Sequence, residues 1–468
     1  MKPNILMILI DDMGWMDLGC QGSTFYETPN IDQLRNEGMA FDQAYAACPV
    51  CSPSRASLLS GKYPARLKVT DWIDHTNYHP CRGKLLDAPY IHELPLSEFS
   101  IAKALKEEGY QTWHVGKWHL GQEATYPEHH GFDVNIAGCA WGHPKYGYFT
   151  PYQMNNLEEG PEGEYLTDRL GEEAVKLIRN RDKDHPFFMN LWHYAVHMPR
   201  QAKAEDIAYF EEKARRMGLD KIDPIEVGDL FPIMQKKMKR IERRVIQSDP
   251  VYAAMIKSLD DSIGVVMKAL KEEGLDDNTI VVFTSDNGGL STAEHSPTCN
   301  FPLSEGKGWM YEGAVREPLF VRWPGHIEAG STSHALCTSP DFYPTFLELC
   351  DLPLRPQQHV DGVSFAPVLL DKDAEFDRGA IYWHYPHYGN QGGTPGSSLR
   401  YKNWKYIEFY EDNSCRLYDL DKDISEKNNV AQENPELTEK FHKMLHDWLN
   451  DVDAWYPSVN PNAEEDLA

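Results

Sequence analysis

No apolar run in this chain is long enough to cross a membrane. Residues 1–4 lead straight into the apolar stretch 5–10, too short for the apolar core of a secretory leader followed by a cleavage site, so a cytoplasmic location is expected. A disulfide framework is also lacking: the nine cysteines (20, 48, 51, 81, 139, 299, 337, 350 and 415) are odd in number and scattered, as expected for a reducing cytoplasm. Basic charge is scarce. With 46 Lys and Arg against 72 Asp and Glu, the net charge of -26 argues against nucleic acid or an anionic membrane as a partner. Internal repeats and low-complexity tracts are missing, and nothing in the sequence sets an oligomeric state.

What remains is the composition of a folded protein, 41% hydrophobic and 25% charged over 468 residues. That length accommodates one large domain, expected at 1–370, and a smaller one at 371–468. Short apolar runs at 5–10, 112–115, 187–191 and 280–284 predict strands, each stopping at polar residues. Three- and four-residue spacing of apolar side chains predicts helices at 31–38, 100–108, 166–179 and 252–273, with Gly38, Gly109 and Gly274 at their C-terminal caps. Strand and helix alternate, so the fold class is α/β, a mostly parallel sheet sandwiched by helices. The charge-dense stretch 201–246 is expected as a solvated helical excursion. Aromatic alternation at 380–384, 404–410 and 415–420 predicts a small C-terminal antiparallel sheet, with a helix at 435–449 packed on it and an irregular tail after 456.

Ligands of such sheets gather beyond the carboxyl ends of the strands. The polar groups there are Asp11-Asp12, Lys117 with His119, His193 with His197, and Asp286-Asn287. Adjacent carboxylates repel unless a cation lies between them. A bare Asp-Asp is more often a turn or a helix cap, but a second acidic strand end, Ser285-Asp286-Asn287-Gly288-Gly289, turns the reading toward an all-oxygen site for calcium or magnesium. Cys51 stands where a reactive thiol at a helix start is plausible, with Arg55 one turn later. Cys48-Pro49-Val50-Cys51 also reads as a C-x-x-C zinc or redox pair, although no second pair accompanies it.

Cys51-Ser52-Pro53-Ser54-Arg55, followed by Leu58-Leu59-Ser60-Gly61, resembles the C-x-P-x-R signature of type I sulfatases. Gly116-Lys117-Trp118-His119, His197-Met198-Pro199 and the stretch Gly306-Lys307 to Pro318 resemble further segments of that family, in family order. The resemblance implies an alkaline-phosphatase-like fold and a sulfuric ester hydrolase. It implies that a maturation enzyme converts Cys51 to formylglycine, whose hydrate attacks sulfur with one hydroxyl and expels sulfate with the other. Asp11, Asp12, Asp286, Asn287 and modified Cys51 are then implied to hold one divalent cation, calcium by family habit. Arg55, Lys117 and Lys307 are implied to hold sulfate, His119 to act on the formylglycine, and His197 to serve the leaving oxygen. Glu312 and Arg316 are expected to shape their loop, and His193 to be a packed histidine.

The substrate is expected to be a sulfated carbohydrate. Residues 70–75 and 382–390 resemble those of bacterial carbohydrate sulfatases associated with 4-O-sulfated galactose or N-acetylgalactosamine, and His75, His387 and Arg400 are the expected sugar contacts. Two other functions fit the same residues: a phosphomonoester or phosphonate hydrolase on this fold, and a non-catalytic binder of sulfated glycans that keeps Cys51 as a thiol.

Overall fold

The computed structural model describes residues 2–74 and 81–463. Its main sheet is built from β1 (Asn4–Ile10), β2 (Met39–Phe41), β3 (Gln111–Gly116), β4 (Val134–Ile136), β5 (Phe187–Trp192), β6 (Thr279–Ser285), β7 (Leu319–Arg322) and β8 (Ser331–Ser333). In space the order is β8-β2-β7-β6-β1-β5-β3-β4. β1 runs parallel to both β6 and β5, β5 to β3, and β3 to β4, whereas β7 is antiparallel to β6 and β2. The sheet is therefore mostly parallel.

β1 is buried along its whole length because it is covered on both faces. Leu6, Ile8 and Ile10 pack into a core with the helices Pro29–Asn36, Leu166–Asn180 and Pro250–Glu272. Ile5, Met7 and Leu9, pointing the other way, join a second core with the helices Cys51–Ser60, Ile101–Glu107 and Phe342–Leu349. The four expected strands and four expected helices all occur, with ends shifted by one or two residues. Gly109 and Gly274 adopt positive φ just past their helices.

Three sequence expectations need correction. Only the first part of 201–246 is helical, Ala204–Met217; Ile225–Leu230 and Arg240–Arg244 form an antiparallel hairpin. The charge density concealed an inward-facing position: Ile241, between exposed Arg240 and Glu242, packs with Phe231, Ile233 and Tyr388. Second, the C-terminal sheet has four strands rather than three: β9 (Ile381–Tyr385), β10 (Gly396–Tyr401), β11 (Trp404–Phe409) and β12 (Ser414–Asp419), paired in that order. The additional strand, Gly-Ser-Ser-Leu-Arg-Tyr, has little apolar content of its own and is held by partners on both sides. Third, the tail is not wholly irregular, since Ser458–Val459 pairs with Leu85–Leu86.

The small sheet bears on the functional site directly. One face, through Ile381, Trp383, Tyr385 and Ile407, packs on Tyr45, Cys48, Val50 and Met310. Trp383 Nε1 donates to the Ala46 carbonyl at 2.7 Å. The other face, with Leu399, Tyr406 and Leu417, carries the helix Pro435–Asp451 through Phe441, Leu445 and Leu449.

Candidate metal centre and catalytic cleft

β6, β1, β5 and β3 are consecutive in the sheet, so the residues that follow them emerge side by side. The register sets Ile10 against Ser285, Leu9 against Trp192, and Gly116 against Trp192. Asp11, Asp12, Asp286, Asn287 and Lys117 are consequently neighbours, and each is almost wholly buried. Asp12 and His119 lie in the left-handed region, at φ 62 and 58, a conformation that non-glycine residues adopt at a cost and that clusters at functional sites.

Cys51 is the first residue of the helix Cys51–Ser60, buried along its whole length, and its Sγ lies 3.4 Å from Asp11 Oδ1 and 3.9 Å from Asp12 Oδ1. Arg55, one turn on, donates from Nε to Asp286 Oδ2 at 2.7 Å and from Nη1 to the Lys117 carbonyl at 3.1 Å, while its guanidinium lies 5.2 Å from the Trp192 ring centroid. Lys117 Nζ reaches Asp11 Oδ2 at 2.6 Å. Lys307 Nζ lies 2.7 and 2.8 Å from the two oxygens of Asp12. The loop that carries Lys307 can approach because its neighbours are glycines: a Cβ on Gly306 would stand 2.2 Å from the Gly289 carbonyl oxygen, and one on Gly288 would stand 1.9 Å from that of Gly313.

Three carboxylates thus face three fixed cations, all of them buried or nearly so. Burial pushes Asp11 up to about 7, against the pull of Lys117. Burial acts on Asp12 in the same direction, but Lys307 and His197 outweigh it and hold that carboxyl below the usual range. Burial, with Lys117 beside one ring and Lys307 beside the other, drives His119 and His197 well below the ordinary imidazole value, so both are neutral near pH 7. Burial also raises the Cys51 thiol, which makes the unmodified side chain a poor nucleophile.

The donors fit a hard divalent cation. Asp11, Asp12, Cys51 and His197 each bring a ligand-type atom within 4.8 Å of the others. Asn287 Nδ2 donates to Asp12 Oδ1 at 2.9 Å, whereas its Oδ1 is buried without a hydrogen-bond partner among the described residues. A buried amide oxygen left open is expensive unless a cation takes it. Carboxylate and amide oxygens suit calcium or magnesium rather than zinc.

A cavity of about 800 Å³ opens on this centre, lined by Cys51, His119, His197 and Lys307. His119 Nε2 lies 3.0 Å from the Ile73 carbonyl. His197 Nε2 is 3.6 Å from Asp12 Oδ2, and its ring stacks on His143 at 6.0 Å between centroids. Arg55 and Lys117, assigned from sequence to the sulfate, are wholly buried and do not line the cavity; each pairs instead with a buried carboxylate, Asp286 and Asp11 respectively. Glu312 and Arg316 are structural as expected, Glu312 being buried among Lys405, Tyr45 and Arg316. His193 is buried as well.

Two expected sugar contacts are corrected. His387 is fully buried, its Nε2 2.8 Å from Thr70 Oγ1 and its ring against Tyr90 and Tyr385. Arg400 is held within the small sheet by Tyr45 and Gln43 and borders a different cavity of about 370 Å³. In both cases the side chain is buried and bonded within the protein's own core, away from the cleft. His75 lies outside the described residues. The remainder of that expectation is better placed, since Trp72, Asp74 and Asn390 do line the cleft. Sequence reading missed the segment from Ala140 to Lys145, together with Glu294 and Gln391. Trp141, His143 and Lys145, set among Gly142 and Pro144 in a loop, carried the available signal.

Comparison with known proteins bears on this geometry. A family model described as Sulfatase matches residues 3–352, and one described as N-sulphoglucosamine sulphohydrolase, C-terminal, matches 305–454. A sulfatase of Formosa agariphila is 31% identical, covering 96% of this chain and 89% of the relative. The human N-acetylgalactosamine-6-sulfatase is 33% identical over 81% of this chain and 68% of its own length. The crystal structure of Ps i-CgsB in complex with k-i-k-neocarrahexaose superposes with a TM-score of 0.77 at 30% identity, covering 97% of this chain and 95% of that one.

Proposed function

This chain belongs to the sulfatase family and is a sulfuric ester hydrolase, and from that premise we propose that it removes sulfate from a galacto-configured sugar through a nucleophile made from Cys51. The observation that carries the proposal is the convergence of Asp11 and Asp12 on the side chain at position 51, with Asn287 from a second strand end bonded to Asp12.

Asp11, Asp12, Asp286 and Asn287 would hold one divalent cation, calcium by resemblance, with the oxidised residue 51 completing its shell. Such a cation neutralises charge on sulfuryl oxygens and lowers the proton affinity of a bound hydroxyl. A formylglycine at position 51, made by a maturation enzyme, would supply the hydroxyls that the buried thiol does not. Lys307, open to the cavity, meets the sulfate directly and stabilises charge that develops on it. Arg55 and Lys117 act from behind, fixing Asp286 and Asp11 and adding positive potential. His119, neutral and at the cavity wall, is positioned to take a proton from residue 51. His197 lines the cavity with Nδ1 turned to the Met198 carbonyl; in the imidazolium form, which Asp12 favours, its Nε2 would give a proton to the departing sugar oxygen, a poor leaving group without one.

The aromatic and basic wall formed by Trp72, Trp141, His143 and Lys145 suits a sugar ring in an anionic glycan. Sequence resemblance points to 4-sulfates, whereas the human relative is named for a 6-sulfate of N-acetylgalactosamine; the galacto configuration is common to both. The test is sulfate release from defined saccharides, with 4- and 6-sulfates of galactose, N-acetylgalactosamine and N-acetylglucosamine as separate arms beside aryl phosphates and phosphonates. Release from a galacto-configured arm supports the proposal. Turnover of the phosphorus esters alone, or binding without turnover by fully matured protein, would replace it with one of the two competing functions.

A further inference from the structure

The C-terminal subdomain carries a second group of metal-type donors, outside the cleft. His442 and His446 are one turn apart on the helix Pro435–Asp451, a spacing that sets both imidazoles on the same face. Glu408 projects toward them from β11, and Nδ1 of His442 bonds one of its oxygens while Nε2 of His446 lies 2.9 Å from the other. The two rings are 4.2 Å apart between centroids. One donor atom from each residue lies within 4.8 Å of the other two. Behind the carboxylate, Tyr406 donates its hydroxyl to Glu408 Oε1 at 2.7 Å. The histidine side chains are 47% and 39% exposed and that of Glu408 is 12% exposed, so the group is rooted on the sheet and opens to solvent on one side.

We propose that Glu408, His442 and His446 form a binding site for zinc or a similar divalent transition metal, with water in the open position. The donor types argue for this. Two imidazoles and one carboxylate are a borderline-soft set that selects zinc, cobalt or nickel, whereas the cleft offers mainly oxygens and selects a hard cation. The spacing agrees, because zinc bonds of about 2 Å set tetrahedral ligand atoms roughly 3.3 Å apart, and the three donors, all within 4.8 Å of one another with each histidine now hydrogen-bonded to Glu408, reach that by small side-chain shifts. The Tyr406 hydroxyl has the place of a supporting partner that orients a ligating carboxylate. Occupancy would clip the helix to a strand more than thirty residues earlier in the chain, stabilising the face of the small sheet opposite to the one that packs beside Cys51.

The experiment uses the full chain, stripped of metal, resaturated with calcium to occupy the cleft, and titrated with Co²⁺ and then Zn²⁺. The expected result is one equivalent of Co²⁺ with visible ligand-field bands, displaced by Zn²⁺, and a higher melting temperature with zinc bound. His446→Gln and His442→Ala should each weaken zinc binding by about 100-fold or more, and Tyr406→Phe by about 10-fold, the range for loss of a supporting partner. Sulfate-ester turnover should be unchanged in all three. Zinc affinity equal to wild type in both histidine variants would move the metal elsewhere and overturn the proposal. So would wild-type protein that takes up no Co²⁺ or Zn²⁺ at millimolar concentration, which would leave a hydrogen-bonded trio only.

Discussion

Replacing Lys307 with methionine keeps the reach of the side chain and deletes its charge. Nζ now sits between the two oxygens of Asp12, with both side chains almost wholly buried, and it also borders the cavity. Two separable effects follow. In protein stripped of metal, the substitution leaves a buried carboxylate without its principal counter-charge, and breaking one side of such a pair costs about 3–5 kcal/mol. Saturation with calcium should return most of that loss, because the cation takes over the same carboxylate. In catalysis, removing one donor to the developing oxyanion costs about 10²–10³ in kcat, or roughly 2.7–4 kcal/mol. The assay is continuous release of nitrophenol from its sulfate ester, alongside urea melts with and without calcium. A parallel fall in kcat and kcat/KM puts Lys307 on the transition state. An unchanged kcat with raised KM would refute that role, and instability that persists at saturating calcium would refute the counter-charge argument.

Three further outcomes are expected. His197→Ala should slow sugar sulfates by about 10²–10⁴ and aryl sulfates far less, since a phenolate departs without a proton; equal losses on both would remove His197 from the leaving group. Arg400→Met removes hydrogen bonds to Tyr45 and Gln43 and should cost about 1–3 kcal/mol in a urea melt with kcat/KM unchanged, whereas lost activity at full stability would return Arg400 to the substrate. Burial pushes Asp17 up to about 6 despite hydrogen bonds from Thr298, Tyr252 and Gly14, so the folded chain binds more protons than the unfolded one and stability falls as pH rises from about 4 to about 6. Asp17→Asn should flatten that segment of the urea-midpoint profile, and an unaltered slope would contradict the reading.

The parallel strands were legible because each is a short β-rich or apolar run ending in a polar residue, and the sheet then brings those ends together by register alone. That is why Asp11, Asp12, Lys117 and Asp286, nearly three hundred residues apart at the extremes, could be assigned to one site from sequence. Burial was not legible in the same way. Arg400 and His387 carry the groups that a sugar site needs, and only the paired strand around Arg400 and the Thr70 contact of His387 reveal that those groups are already engaged. The three-residue strands β2 and β8 are too short to announce themselves, and β10 owes its conformation to its neighbours rather than to its own residues. The wall from Ala140 to Lys145 escaped because a loop without periodicity gives no indication of which cavity it borders.

The most direct test correlates two quantities in one set of preparations: the fraction of the peptide spanning position 51 that carries an aldehyde by mass, and the specific rate of sulfate release. Co-expression with a maturation enzyme, at graded levels, supplies the range. Activity proportional to the aldehyde fraction, extrapolating to zero for protein that is all thiol, is the expected result. Undiminished turnover by protein in which Cys51 is wholly unconverted would contradict it.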